Sequence, residues 1–263
     1  MIEPRKPIHY FQIDTRKTDT IEGSTIVETP VSLTVNGEVW TTFMCTPIHL
    51  EALMVGFLFN EGVLDSIEEV ADVRICEHGD NVDVWLTHDA PKPDNWTRTS
   101  GCTGGVTAVA SIERPKSVLV SDEFSLFPKQ INYLVEMLFE SQELYRETGG
   151  VHTSALCDGD KVILSAEDIG RHNTLDKIAG LCLMENIWPE KRVLITTGRI
   201  SSEMLQKGVR MGAKVVASRT SPSSMSIALA EAWGITLIGY ARRNRFNLYA
   251  APERILLKSL QPS

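Results

Sequence analysis

"RVLITTGRISSEMLQKGVRMGAKVVASRTSPSSMSIALAEAWGITLIGYA", residues 192–241, decides the fold. Short apolar runs alternate in it with stretches of helical period. "RVLITT" reads as a strand, "SEMLQKGVRMG" as a helix, "KVVAS" as a strand, "SSMSIALAEAWG" as a helix and "ITLIGYA" as a strand. Strands joined through helices run parallel, with right-handed crossovers. The stretch therefore specifies a βαβαβ unit and places the chain in the α/β class.

That unit says where a ligand belongs. In open α/β sheets ligands bind outside the carboxyl ends of the strands. Three segments fall there: "TTGRISS" (196–202), "SRTSPSS" (218–224) and "YARRNRFN" (240–247). Together they hold Arg199, Arg219, Arg242, Arg243 and Arg245, and no Asp or Glu, in a chain where acids outnumber Lys and Arg by 34 to 26. Two of the segments run into helix N-termini, with Ser221–Pro222 expected as cap and first turn. Unpaired N–H groups, a partial positive charge and planar guanidinium donors together favour phosphate. Any one such loop reads equally as ordinary capping with surface arginine. The three together, on one edge, point to a phosphorylated or pyrophosphorylated ligand.

Upstream, "EDIGRHNTLDK" (167–177) is the densest polar cluster, with Glu167, Asp168, Arg171, His172, Asn173, Asp176 and Lys177. Gly170 permits a sharp turn, and Asn173 is placed to cap a helix from Thr174. His172 reads either as a structural histidine or as a ligand contact. With Asp168 it also forms a nominal acid–base pair for a phosphosubstrate enzyme. A second histidine, His152, follows Gly149–Gly150 and is a candidate for the same site.

The remaining elements are read outward from there. "VHTSALCDGDKVILSAED" is a hairpin turning at Asp158–Gly159, and 128–147 is expected as one long helix stopped by Gly149–Gly150. Residues 24–45 form a hairpin around Asn36–Gly37, and 70–88 form another near Gly79–Asn81. Between them "TPIHLEALMVGFLFNEG" is a helix with Thr46 as cap, Pro47 in the first turn, and one apolar face of Leu50, Leu53, Met54, Phe57 and Leu58. This gives a smaller β-rich N-terminal domain (1–100) with one buried helix, a connection (101–127), and a C-terminal α/β domain (128–263).

The connection holds "WTRTSGCTGGVTAV" (96–109). Four of the five cysteines, Cys45, Cys76, Cys157 and Cys182, sit in apolar patterns and read as core residues. Cys102 lies instead in glycine-rich backbone, read as mobile, where no packing explains a thiol. There is no C-x-x-C, so a disulfide framework and a zinc knuckle are poorly supported. P-loop, dinucleotide-binding and zinc-deaminase motifs are missing as well. The net charge of −8 argues against a nucleic-acid partner. No apolar run is long enough to span a membrane and no signal peptide is read, so a cytoplasmic location is expected.

"TGGVHTSAL", "EDIGRHNTLDKIAG", "TTGRISSEML", "SRTSPSSMSIALAE" and "LIGYARRNRFNLY" resemble the formate dehydrogenase accessory proteins, the FdhD sulfurtransferase family, in order and over nearly the whole chain. The resemblance implies a C-terminal three-layer α/β/α domain like cytidine deaminase but without its zinc, α+β overall, in a homodimer. It implies sulfur transfer from a cysteine desulfurase, through a persulfide on a loop cysteine, to the molybdenum (or tungsten) bis-pterin guanine dinucleotide cofactor of formate dehydrogenase. The partners would be that desulfurase and the formate dehydrogenase catalytic subunit. Cys102 matches the loop cysteine, and Tyr240, Ala241, Arg242, Arg243, Asn244 and Arg245 match the cofactor-binding segment. Arg171, His172 and Arg219 join them as candidate cofactor contacts, with GDP as a surrogate ligand. Many family members carry two loop cysteines as C-x-x-C, whereas only Cys102 matches here. A cofactor-binding chaperone that delivers without transferring sulfur is the alternative.

Overall fold

The chain begins with an antiparallel ribbon of β1 (Arg5–Ile13) and β2 (Thr18–Ile26). The computed structural model describes residues 2–93, 97–98, 106–107, 114–116 and 124–256. Next come β3 (Thr29–Val35), β4 (Glu38–Cys45), α1 (Leu50–Asn60), β5 (Val70–Ile75) and β6 (Asn81–Leu86). The short strands β7 (Thr97–Arg98) and β8 (Val106–Thr107) pair antiparallel. Cys102 lies between them in sequence and outside the described residues. The C-terminal part contains α2 (Pro128–Glu140), α3 (Leu144–Thr148), β9 (His152–Cys157), β10 (Val162–Asp168), α4 (Arg171–Glu185), β11 (Val193–Thr196), α5 (Ser202–Arg210), β12 (Val215–Ser218), α6 (Ser224–Trp233), β13 (Thr236–Arg242) and β14 (Arg245–Ala250).

The βαβαβ reading holds: β11, β12 and β13 are parallel neighbours. They occupy the middle of a six-stranded sheet of order β10-β9-β11-β12-β13-β14, whose outer pairings are antiparallel. Period-two alternation divides its side chains. Val193, Ile195, Val215, Ala217 and Ile238 pack with Ile131, Leu134, Val135 and Leu138 of α2. Leu194, Val216 and Leu237 face the other way, among Leu175 and Ile178 of α4, Leu205 of α5 and Leu229 of α6. The result is the expected three-layer α/β/α arrangement within an α+β chain.

A second sheet, β4-β3-β6-β5, includes the parallel pair β3–β6. Helix α1 lies between this sheet and α4, and one apolar core joins all three. The expected one-sided helix is therefore buried all round: only Glu51 of α1 escapes full burial. A helix with protein on every side has no use for a polar face. Phe57 of α1 meets Phe43 of β4 edge-on, with ring centroids 4.8 Å apart. On the other side α1 and α4 cross at glycines. A Cβ on Gly56 would lie 1.8 Å from the Asp176 carbonyl oxygen, and one on Gly180 would lie 1.9 Å from that of Ala52.

Several boundaries differ from the sequence reading, each for a local reason. Helix α1 begins at Leu50 after a left-handed His49, and Thr46 does not cap it. Thr46 instead ties the N-terminal sheet to β10 and α4: its N–H donates to Asp168 and its carbonyl accepts from Lys177. The helix expected over 128–147 is broken after Glu140, because Glu167 reaches over from β10. Its carboxylate accepts from the N–H groups of Glu143, Leu144 and Tyr145 and starts α3 anew. Asn173 does not cap α4, which starts two residues earlier behind Gly170. Its Nδ2 donates instead to Asp168 and to the Met44 carbonyl. The cap of α6 is Ser223 rather than Ser221. Cys45, Cys157 and Cys182 are buried, and burial pushes each thiol up to about 12. Cys76 leaves the core expectation: it sits half-buried at the β5–β6 turn, its Sγ 2.9 Å from Asp80 Oδ1.

Candidate functional site

The C-terminal ends of β11, β12 and β13 meet one crest. Its loops are fixed to one another by backbone pairing. Arg219 N–H donates to the Thr196 carbonyl at 3.1 Å, Ser223 N–H to that of Ile200 at 2.9 Å, and Tyr240 N–H to that of Thr220 at 3.0 Å. Ser218 Oγ donates to the Gly198 carbonyl at 2.6 Å and accepts from Thr220 N–H at 3.0 Å. Glycines admit the close approaches. A Cβ on Gly198 would lie 2.8 Å from the Arg171 side chain, and one on Gly239 would lie 2.8 Å from both Pro222 and Tyr249. The arginines of this edge thus stand on a braced frame.

Arg219, Arg242, Arg243 and Asn244 line one open pocket of about 560 Å³ together with Phe139 of α2. The Arg219 guanidinium lies over the Phe139 ring, 4.3 Å from its centroid. Stacking of this kind holds a guanidinium flat while leaving its N–H edge for a ligand. Arg243 reaches Glu136 at 3.1 Å but remains largely exposed. A neighbouring cleft of about 190 Å³ is lined by Arg171, Arg199 and the cap serines Ser201 and Ser223. A pocket of about 1090 Å³ lies at the opposite end of the sheet near Gly234 and Ala251.

The other candidates have different places. Tyr240 is exposed and holds a left-handed backbone, φ 51°, at a bulge of β13. Ala241 is fully buried in the core beside α2, so its side chain faces no ligand. Arg245 is exposed and pairs with Arg242 across the β13–β14 turn. His172 lies beneath the crest at 3% exposure, with Nε2 3.5 Å from Ser201 Oγ. Burial, with Lys207, Arg171 and His152 nearby, lowers its pKa to about 2, so it stays neutral. Asp168 is not available as its catalytic partner. It is fully buried and accepts from Lys177 at 2.6 Å, Gly170 N–H at 2.7 Å, Asn173 at 2.9 Å and Thr46 N–H at 3.1 Å. The acid–base pair is therefore a structural knot. Phe139 escaped the sequence reading because it follows Val135 by one turn and looks like any core position of α2. Among the described residues no three His, Cys, Asp or Glu side chains cluster to hold a metal ion, and no helix is long and apolar enough to cross a membrane.

Residues 26–256 match the FdhD/NarQ family. The chain belongs to that family. It is 36% identical over 243 residues to the sulfur carrier protein FdhD of Staphylococcus haemolyticus, covering 88% of this chain and 89% of the relative. It is 34% identical over 260 residues to the sulfur carrier protein FdhD of Bacillus pumilus, covering 97% and 98%. Its fold also matches the crystal structure of a candidate formate dehydrogenase accessory protein from Desulfotalea psychrophila. The TM-score is 0.80 at 28% identity, over 97% of this chain and 100% of that one. The braced arginine crest is thus a feature of an FdhD/NarQ protein, and five of the six residues Tyr240–Arg245 lie exposed on it.

Proposed function

We propose that this FdhD/NarQ protein is a sulfur carrier for formate dehydrogenase, a sulfurtransferase working through Cys102. The observation that carries the reading is the convergence of Arg219, Arg242, Arg243 and Asn244 with the Phe139 ring in one open pocket. The substrate is the molybdenum (or tungsten) bis-pterin guanine dinucleotide, a polyanion with two pyrophosphates. Guanidinium groups suit the phosphates, and an aromatic–arginine stack suits a flat nucleotide. Two copies of the chain, each with one crest, would serve the two nucleotide halves.

Loading requires only a nucleophilic thiol. The Cys102 thiolate attacks the outer sulfur of a desulfurase persulfide, a new S–S bond forms, and the donor cysteine leaves as thiolate. In cells lacking their own carrier, the wild-type protein is expected to restore formate dehydrogenase activity and Cys102→Ala to fail. The single thiol of the loop favours one second reading, a chaperone that delivers the cofactor without transferring sulfur. Full activity of Cys102→Ala alongside an inactive Arg242→Ala would select it.

A further inference from the structure

Beside Arg219 a separate pocket of about 350 Å³, which Arg242 does not line, is formed by Gln142, Tyr145, the Gly149–Gly150 turn, His152 and Thr197. Arg219 lines both pockets and so forms the wall between them. No acidic side chain lines this second pocket, and Arg219 has no carboxylate within ion-pair distance among the described residues. Asp168, the nearby acid, is bound up with Lys177, Asn173 and two backbone N–H groups.

The hydrogen bonds permit the His152 tautomer that carries its ring proton on Nε2. Thr197 Oγ1 accepts the Thr153 N–H at 3.0 Å, so its own proton is free to point elsewhere. His152 Nδ1 lies 3.3 Å from the same oxygen. With Nδ1 accepting from Thr197, the ring proton resides on Nε2. Nε2 has no hydrogen-bond partner among the described residues, and the ring is half-buried in the pocket wall. Burial, together with Arg171 and Arg199, holds the imidazole below its usual pKa, so it is a neutral donor.

We infer that this pocket is a second oxyanion site, with room for a phosphoryl group, in which the His152 Nε2–H and the Arg219 guanidinium are the donors. It rests on the proposed function only in taking the crest as the ligand-binding face. Its phosphoryl group is either free in solution or the outer phosphate of a diphosphate whose nucleoside occupies the Arg242 pocket. In the second case His152 distinguishes diphosphates from monophosphates.

The test uses the full-length protein with isotope-labelled histidine, following the imidazole resonances by NMR. The His152 signal is assigned by its loss in His152→Gln. Inorganic pyrophosphate is expected to shift it saturably in the wild type and in Arg242→Ala, and not in Arg219→Ala. GDP is then titrated. Binding that is about tenfold weaker in His152→Gln, with GMP unaffected, identifies the nucleotide's outer phosphate as the occupant. GDP and GMP binding both unchanged in His152→Gln, with pyrophosphate still shifting the wild-type His152 signal, identifies a free oxyanion. A silent His152 resonance under pyrophosphate and GDP overturns the inference. If GDP still binds in an Arg242-dependent way in that case, the proposed function survives without it. If pyrophosphate shifts His152 but GDP binds nowhere, the nucleotide reading of the crest fails and the oxyanion site stands.

Discussion

Lys177 and Asp168, both without exposed surface, form an ion pair 2.6 Å long, and the lysine ammonium also donates to the Thr46 and Glu167 carbonyls. Removing one partner of such a pair leaves a buried charge alone. Lys177→Met is therefore expected to cost about 3–5 kcal/mol, read as a lowered denaturant midpoint. His172 makes a pH prediction. Its folded pKa of about 2 lies below the unfolded 6.5. Above 6.5 both states are neutral and its contribution is complete. As pH falls below 6.5 the unfolded chain takes up a proton that the folded one refuses, so stability declines by up to about 1.4 kcal/mol per pH unit. His49 and His152, also lowered by burial, act in the same direction. His172→Gln should reduce the loss of urea midpoint between about pH 7.5 and about pH 5.5, and an unchanged loss would contradict a neutral buried imidazole. At this scale the arginines were legible, because three acid-free segments stand out in an acidic chain. The knot was not. A run such as "EDIGRHNTLDK" looks solvated or ligand-facing, and what buries it is Thr46, 131 residues from Lys177.

The parallel strands β11 to β13 could be read directly, since strand and helix periods alternate there without interruption. The β1–β2 ribbon could not. Nearly all of β1 is exposed, including Phe11 at 70% and Ile13 at 73%, so no buried stripe marks it. Strand β14 follows β13 after only Arg243–Asn244 and begins inside a segment that reads as a basic loop. The break between α2 and α3 depends on Glu167, which no local pattern reveals. The α1–α4 crossing supplies the prediction at this scale. Gly56→Ala and Gly180→Ala place a Cβ within 2 Å of backbone oxygen on the facing helix. Both should abolish folding or cost several kcal/mol, roughly the upper range for core overpacking. Gly208→Ala in α5 makes one tight contact, with a Leu194 methyl at 3.1 Å, and an ordinary one with a Val216 methyl at 3.4 Å. The better helix propensity of alanine offsets that contact, and its thermal midpoint should stay near the wild type.

The chain as a whole is acidic, with a net charge of −8, yet it gathers Arg199, Arg219, Arg242, Arg243 and Arg245 on one edge of one sheet. One apolar core joins the N-terminal sheet, α1, α4 and the six-stranded sheet, so the crest rests on the whole molecule. Replacing Arg242 and Arg243 together by alanine should leave the thermal midpoint intact and weaken GDP binding at least tenfold, since each charged hydrogen bond is worth about 1.5–3 kcal/mol. Unchanged affinity would move the nucleotide off the crest. Sulfur carriage itself is tested most directly by incubating the protein with a cysteine desulfurase and cysteine, then measuring its intact mass and mapping the modified peptide. A gain of one sulfur atom is expected on the Cys102 peptide, reversed by thiol reductant and missing in Cys102→Ala. No gain on that peptide, with the same desulfurase loading a control acceptor, would contradict sulfur carriage.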